Sequence, residues 1–143
     1  MTRLVIDASV AIKWLVEEPG TSEALLLRRH RLSAPDLLTI ECANVLWKKL
    51  RRKELTEEEV VLAARLLERA DIELAPMRPL LTAATKLSIG LDHPAYDCAY
   101  LALAEALGCA MVTADEALCR KLAGSKLLSS KVIALADAPT IPI

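Results

Sequence analysis

The chain lacks an apolar run long enough to cross a membrane. Its 143 residues are 54% hydrophobic and its mean hydropathy is +0.34, yet no uninterrupted segment approaches the roughly 20 residues a span requires. Even the most apolar region, Ala95 to Val112, carries Asp97 and Glu105. Asp7 breaks the only early apolar run, which argues against a signal peptide and gives the expectation of a cytoplasmic chain. The surplus of Leu and Ala is therefore expected to cover a self-association or partner surface. Clustered cysteine is also lacking: Cys42, Cys98, Cys109 and Cys119 are widely spaced, with no CxxC pair and no Cys/His group of zinc-ligand spacing. Such residues read as small buried hydrophobes. Nor is there a strong charge of either sign. The net charge is −1 and the pI about 6.1, so any nucleic-acid binding must be local. Without repeats, low-complexity segments or a linker, the length reads as one domain over residues 1–143.

What is present is an alternation of strand and helix patterns. Strands are expected over Arg3–Asp7, Leu32–Ala34, Ile72–Leu74, Ala110–Thr113 and around Val132–Leu135. Between them lie helical patterns from Val10 through Trp14, Thr21 to Arg29, Leu37 to about Arg52, a capped helix running to about Ala70, Leu80 to Ile89, Ala95 to Leu107 and Glu116 to Leu122. Thr56 with Glu59 makes a capping box, Pro94 suits a first helical position and Gly108 a stop. The alternation predicts a three-layer α/β/α domain on a parallel central sheet of about five strands. Ligands of such sheets gather beyond the C-terminal strand ends.

Two strand patterns end at acids: LVIDAS places Asp7 after the first, and AMVTADE places Asp115 just beyond a later one. Taken singly, each is accounted for by helix capping, Asp7 for the helix near Val10 and Asp115 beside a Thr113/Glu116 capping box. Asp97 and Glu41 are harder to explain, since each sits among apolar residues where an unpaired carboxylate is costly to bury. Together the four acids can converge on one pocket at the sheet edge. A cluster of that kind raises its own pKa values unless a cation occupies it, and an all-oxygen site favours Mg²⁺ or Mn²⁺ over zinc. Such a metal can activate water and stabilise a phosphoryl transition state. Ser9 and Thr113 supply hydroxyls beside the acids.

The stretches LVIDAS, IECANVL, AYDCAYLALAEALGC and VTADEAL resemble, in order and spacing, the acidic motifs of PIN-domain proteins, most closely VapC-type toxins of prokaryotic toxin–antitoxin pairs. The resemblance covers essentially the whole chain. It implies a PIN-like fold and a Mg²⁺- or Mn²⁺-dependent endoribonuclease that hydrolyses RNA phosphodiesters. By motif, the metal-binding and catalytic acids fall on Asp7, Glu41, Asp97 and Asp115, supported by Ser9 and Thr113, with Asn44 placed to orient Glu41. Glu116 stands where an extra acid sometimes occurs, though capping is its simpler role. The resemblance further implies a homodimer and a VapB-type antitoxin crossing the acidic groove.

The basic clusters Arg28 to Arg31 and Lys48 to Lys53 read first as solvated helix ends, with RNA-backbone contact as the functional alternative. Trp14 and Trp47 lie at core-like spacing and are expected to pack; Tyr96 and Tyr100 flank Asp97 and are open to either role; His93 is expected to cap or line a loop. A haloacid-dehalogenase-type phosphatase would need Asp where Ser9 stands. A receiver domain would need an acid where the third strand runs into Ala-Pro-Met-Arg. A serine hydrolase would need a Gly-x-Ser-x-Gly elbow, which is missing. The remaining alternative from another class is a PIN-like module that binds RNA or a partner without cleaving.

Overall fold

Five strands, all parallel and hydrogen-bonded in the order β3-β2-β1-β4-β5, form the centre of the computed structural model, which describes residues 2–128 and 130–143. They are β1 (Arg3–Ile6), β2 (Arg31–Pro35), β3 (Glu73–Ala75), β4 (Ala110–Thr113) and β5 (Val132–Ala134). The helices are α1 (Ala8–Leu15), α2 (Thr21–Leu26), α3 (Leu37–Arg51), α4 (Glu57–Glu68), α5 (Leu81–Leu91), α6 (Ala95–Leu107) and α7 (Glu116–Leu122), with 3₁₀ turns at Leu27–Arg29, Arg78–Leu80 and Leu135–Thr140. This is the expected three-layer parallel architecture. Boundaries shift by a residue or two at most elements, and the β-type run after Ala134 closes into a 3₁₀ turn instead of extending the strand.

The central strands are apolar because helices cover both faces. Leu4, Val5 and Ile6 of β1 and Met111 and Val112 of β4 are fully buried, whereas Glu73 and Leu74 on the edge strand β3 are exposed. Helix α6 lies against β1, β2 and β4, with every residue from Cys98 to Ala104 buried. Helix α1 packs on α2, α3 and α4, and a smaller cluster of Ile12, Leu46 and Ala63 holds that group together. The α4 start is the capping box read from Thr56 and Glu59: the Thr56 hydroxyl accepts from the Glu59 N–H and the Glu59 carboxylate from the Thr56 N–H.

Cys42 and Cys98 are buried free thiols, as expected, whereas Cys109 and Cys119 are only partly buried; burial raises the Cys42 thiol to about 12. Two expectations fail. The Thr113/Glu116 capping box does not form, because Asp115 itself caps α7 by accepting from the Leu118 N–H at 3.0 Å while the Thr113 hydroxyl turns to Asp7. Trp47 does not pack into the core: it falls on the outer side of α3 and is 48% exposed, with the Arg51 guanidinium 5.0 Å from its ring centre. Trp14 does pack, donating its indole N–H to the Ala24 carbonyl at 2.7 Å. Among the described residues no helix is long and apolar enough to cross a membrane.

Candidate active site

The sheet order turns at β1. Chain direction leads from β1 outward to β2 and β3 on one side, and later to β4 and β5 on the other. Such a switch point leaves a crevice beyond the C-terminal ends of the two central strands. Ile6 and Val112 are paired in register, so Asp7 and Thr113 emerge side by side there.

Asp7 is 6% exposed and fully engaged. One carboxylate oxygen accepts from the Ser9 hydroxyl and from the Val10 N–H at 3.3 Å, and the other accepts from the Thr113 hydroxyl. It is therefore both the N-cap of α1 and a candidate site residue, and the two readings do not compete. Ser9 and Thr113 lie 3.3 Å apart, oxygen to oxygen, and tie the β4 end to the site: the Ala114 N–H donates to Ser9 Oγ at 2.9 Å and the Asp115 N–H to Thr113 Oγ1 at 3.1 Å. Burial is the main force that lifts the Asp7 pKa from 3.8 to about 6; its hydrogen bonds oppose the rise and the negative charge of Asp97 adds to it.

Glu41 enters from α3 and Asp97 from the first turn of α6. Burial also raises the Glu41 carboxyl, the Tyr100 hydroxyl lowers it, and Asp97 raises it again. Asp97 thus acts electrostatically on both Asp7 and Glu41, which places three acids from three elements in one field. Tyr100, almost wholly buried, donates to Glu41 Oε1 at 2.5 Å, and the desolvated phenol is held well above its usual range. Asp97 Oδ2 lies 2.6 Å from His93 Nε2, and Lys121 Nζ lies 3.0 Å from His93 Nδ1 and 2.8 Å from the Asp92 carbonyl. With Lys121 donating to Nδ1, the tautomer that satisfies both contacts carries its proton on Nε2 and donates to Asp97.

Asp7 and Glu41 thus both feel the charge of Asp97, and Asp115 adjoins Asp7 through its backbone bond to Thr113, with its carboxylate committed to capping α7. Among the described residues Asn44 makes no hydrogen bond to Glu41. It is exposed on the lip of the groove that Leu37, Ile40, Glu41 and Tyr96 line, and among the described residues the hydrogen bond to Glu41 comes from Tyr100 instead. His93 does more than cap, because the i, i+4 step puts it beneath Asp97. Sequence spacing carries that signal, and Tyr100 three residues beyond Asp97 carries another. Nothing in the sequence points to Lys121, which reaches His93 from the last turn of α7.

The donor set is carboxylate and hydroxyl oxygen, which suits a hard divalent cation. Among the described residues no three His, Cys, Asp or Glu side chains converge as a ready-made metal cage in this conformation. What fits a cation is the electrostatics: Asp7 and Glu41 are raised first by burial and then by the negative charge of Asp97.

Comparison with known proteins gives a consistent picture. Residues 4–123 match the PIN domain family. The chain is 33% identical to the VapC ribonuclease Mb0985 of Mycobacterium bovis over 112 residues, 78% of this chain and 85% of that one. It is 32% identical to ribonuclease VapC3 of Pyrobaculum aerophilum over 126 residues, 83% and 94% of the two chains. The crystal structure of PAE2754 from Pyrobaculum aerophilum superposes with a TM-score of 0.70 at 18% identity, covering 98% of this chain and 91% of that one. VapBC2 from Rickettsia felis, bound to a DNA fragment from its promoter, superposes with a TM-score of 0.64 at 10% identity, covering 93% and 98%. Motif order, sheet topology and these matches together make the chain a member of the PIN-domain family, in its VapC group.

Proposed function

We propose that this chain is a divalent-metal-dependent endoribonuclease of one domain and the toxin of a toxin–antitoxin pair. The observation that supports the reading is the electrostatic reach of Asp97 onto two other acids, Asp7, held by Ser9 and Thr113 at the β1/β4 switch point, and Glu41, held by Tyr100. Its membership of a group whose relatives are named VapC ribonucleases supports the RNA substrate and the antitoxin.

Asp7, Glu41 and Asp97 would hold Mg²⁺ or Mn²⁺, with Asp115 as the fourth acid beside them. When bound, the ion supplies a water of lowered pKa and charge neutralisation for an in-line phosphoryl displacement. The protein's own contribution is positional. Ser9 and Thr113 fix both oxygens of Asp7, Tyr100 fixes Glu41, and His93 backed by Lys121 fixes Asp97. Holding these oxygens in place before substrate arrives removes a reorganisation cost from the reaction. The exposed Ile40 and Tyr96 on the groove rim, and Val61, Leu62 and Leu66 on α4, are apolar surface suited to an antitoxin peptide and to a second copy of the chain.

The test is cleavage of total cellular RNA by the purified chain, free of antitoxin, in Mn²⁺ and in EDTA. Wild type should cut internally in Mn²⁺ alone, and the new ends should carry no 2′,3′-cyclic phosphate, since water and not the 2′-hydroxyl attacks. Asp97→Asn should be inactive. Intact RNA with a folded wild type, or equal cleavage by Asp97→Asn, sinks the assignment and favours a binding role.

A further inference from the structure

The acids cannot attract a phosphate backbone by themselves, so an RNA substrate needs a second foothold. The second half of α3 offers one. Helical spacing puts Ile40, Asn44, Trp47 and Arg51 on one exposed side of the helix at i, i+4, i+7 and i+11, beginning on the lip of the Glu41 groove. The same side ends in a shallow groove lined by Trp47, Lys48, Arg51 and Arg52. Lys49 is occupied by Glu18 and Glu54, but Lys48, Arg51 and Arg52 make no ion pair among the described residues. Three cations without an ion-pair partner among the described residues therefore adjoin a half-exposed indole, on a molecule whose net charge is −1.

Cations in the last turn of α3 suit its dipole, but that role does not explain an exposed Trp. Nor does a docked apolar peptide, since the groove beside the ring is lined by charge. A polyanion with flat apolar faces matches both features: phosphates for the cations and an unpaired base for the ring, with Arg51 already 5.0 Å from the ring centre. From Glu41 to Trp47 the helix rises about 9 Å, a span that lies within a single-strand site of a few nucleotides.

We propose that the outer side of α3 is a track for single-stranded RNA, with Trp47 stacking an unpaired base and Lys48, Arg51 and Arg52 holding the adjoining phosphates. This rests on the ribonuclease reading of the acids and adds where the strand leaves them. Trp47 and Arg51 are binding residues outside the chemistry.

The experiment measures anisotropy of a labelled 12-nucleotide single strand and of a duplex of equal length, with Asp97→Asn protein in EDTA so that nothing is cut. Trp47→Ala should weaken single-strand binding about 10-fold, leave duplex binding within twofold, and be largely rescued by Trp47→Phe. Arg51→Ala should weaken both and lower the salt slope by about 1. In the otherwise wild-type enzyme with Mn²⁺, Trp47→Ala should raise KM and leave kcat within twofold. Unchanged single-strand affinity and KM in a folded Trp47→Ala would overturn the track while wild-type cleavage keeps the nuclease reading; a face reserved for a protein partner gives that result. Equal loss on single strand and duplex overturns the stacking. A wild type that cleaves nothing, with Asp97→Asn that binds no RNA, takes both readings down together.

Discussion

The raised Asp7 pKa makes a specific thermodynamic prediction. The folded protein holds the Asp7 proton up to about pH 6, whereas the unfolded chain gives it up near 3.8. Between those values the native state binds more protons, so stability falls as pH rises through this window. The shift is about 2 units, which corresponds to about 3 kcal/mol of destabilisation fully expressed above pH 6, of which about 1 kcal/mol is already present at pH 4.5. Asp7→Asn removes the titrating group, keeps an acceptor for one hydroxyl, and offers a donor to the other. Urea unfolding of both proteins in EDTA, at pH 7 and at pH 4.5, gives two stability differences. Any pH-independent cost of the substitution shifts both alike, so the informative quantity is the change between them. Asp7→Asn should gain about 2 kcal/mol relative to wild type on going from pH 4.5 to 7. A difference independent of pH, or one that moves against the variant as pH rises, refutes the claim that burial and Asp97 strain this carboxylate.

Three further outcomes follow from the same reasoning. Tyr100→Phe removes the hydroxyl that donates to Glu41; it should cost about 1 kcal/mol in unfolding experiments and lower Mn²⁺-supported RNA cleavage by about 10-fold, as loss of a partner that orients a ligand does. His30 is 5% exposed and neither ring nitrogen has a hydrogen-bond partner among the described residues; burial, and then Arg29 and the N-terminus, push its pKa below 6.5. The unfolded chain therefore takes up that proton first, and stability should drop as pH falls below 6.5, a slope that His30→Leu should flatten in thermal melts. Ile6→Ala, at a fully buried position directly before Asp7, should destabilise by about 2 to 5 kcal/mol in chemical denaturation.

Much of this was legible in the sequence because the acids interrupt patterns that physical chemistry makes regular. A strand buried on both faces reads as Leu-Val-Ile, so the Asp that ends it stands out, and the Thr56/Glu59 box marks a helix start in four residues. The misreadings share a cause. Trp47 has core-like spacing, but helical periodicity tells which residues share a side and not which side faces the core. Thr113 and Glu116 have capping-box spacing, yet the hydroxyl found a stronger acceptor in Asp7, a contact across 106 residues that no local pattern carries. The donor that reaches Glu41 is Tyr100, 59 residues away on another helix, where the local spacing pointed to Asn44. Lys121 and the orphaned ring of His30 depend wholly on tertiary packing.

The central claim is that Asp7, Glu41 and Asp97 form one cation site, and it is tested most directly by equilibrium Mn²⁺ binding, with free Mn²⁺ counted by electron paramagnetic resonance at pH 7. Wild type should bind Mn²⁺, and Asp7→Asn, Glu41→Gln and Asp97→Asn should each weaken binding by at least about 10-fold while remaining folded. Equal affinity in all four proteins, or no binding by a folded wild type, would contradict the account.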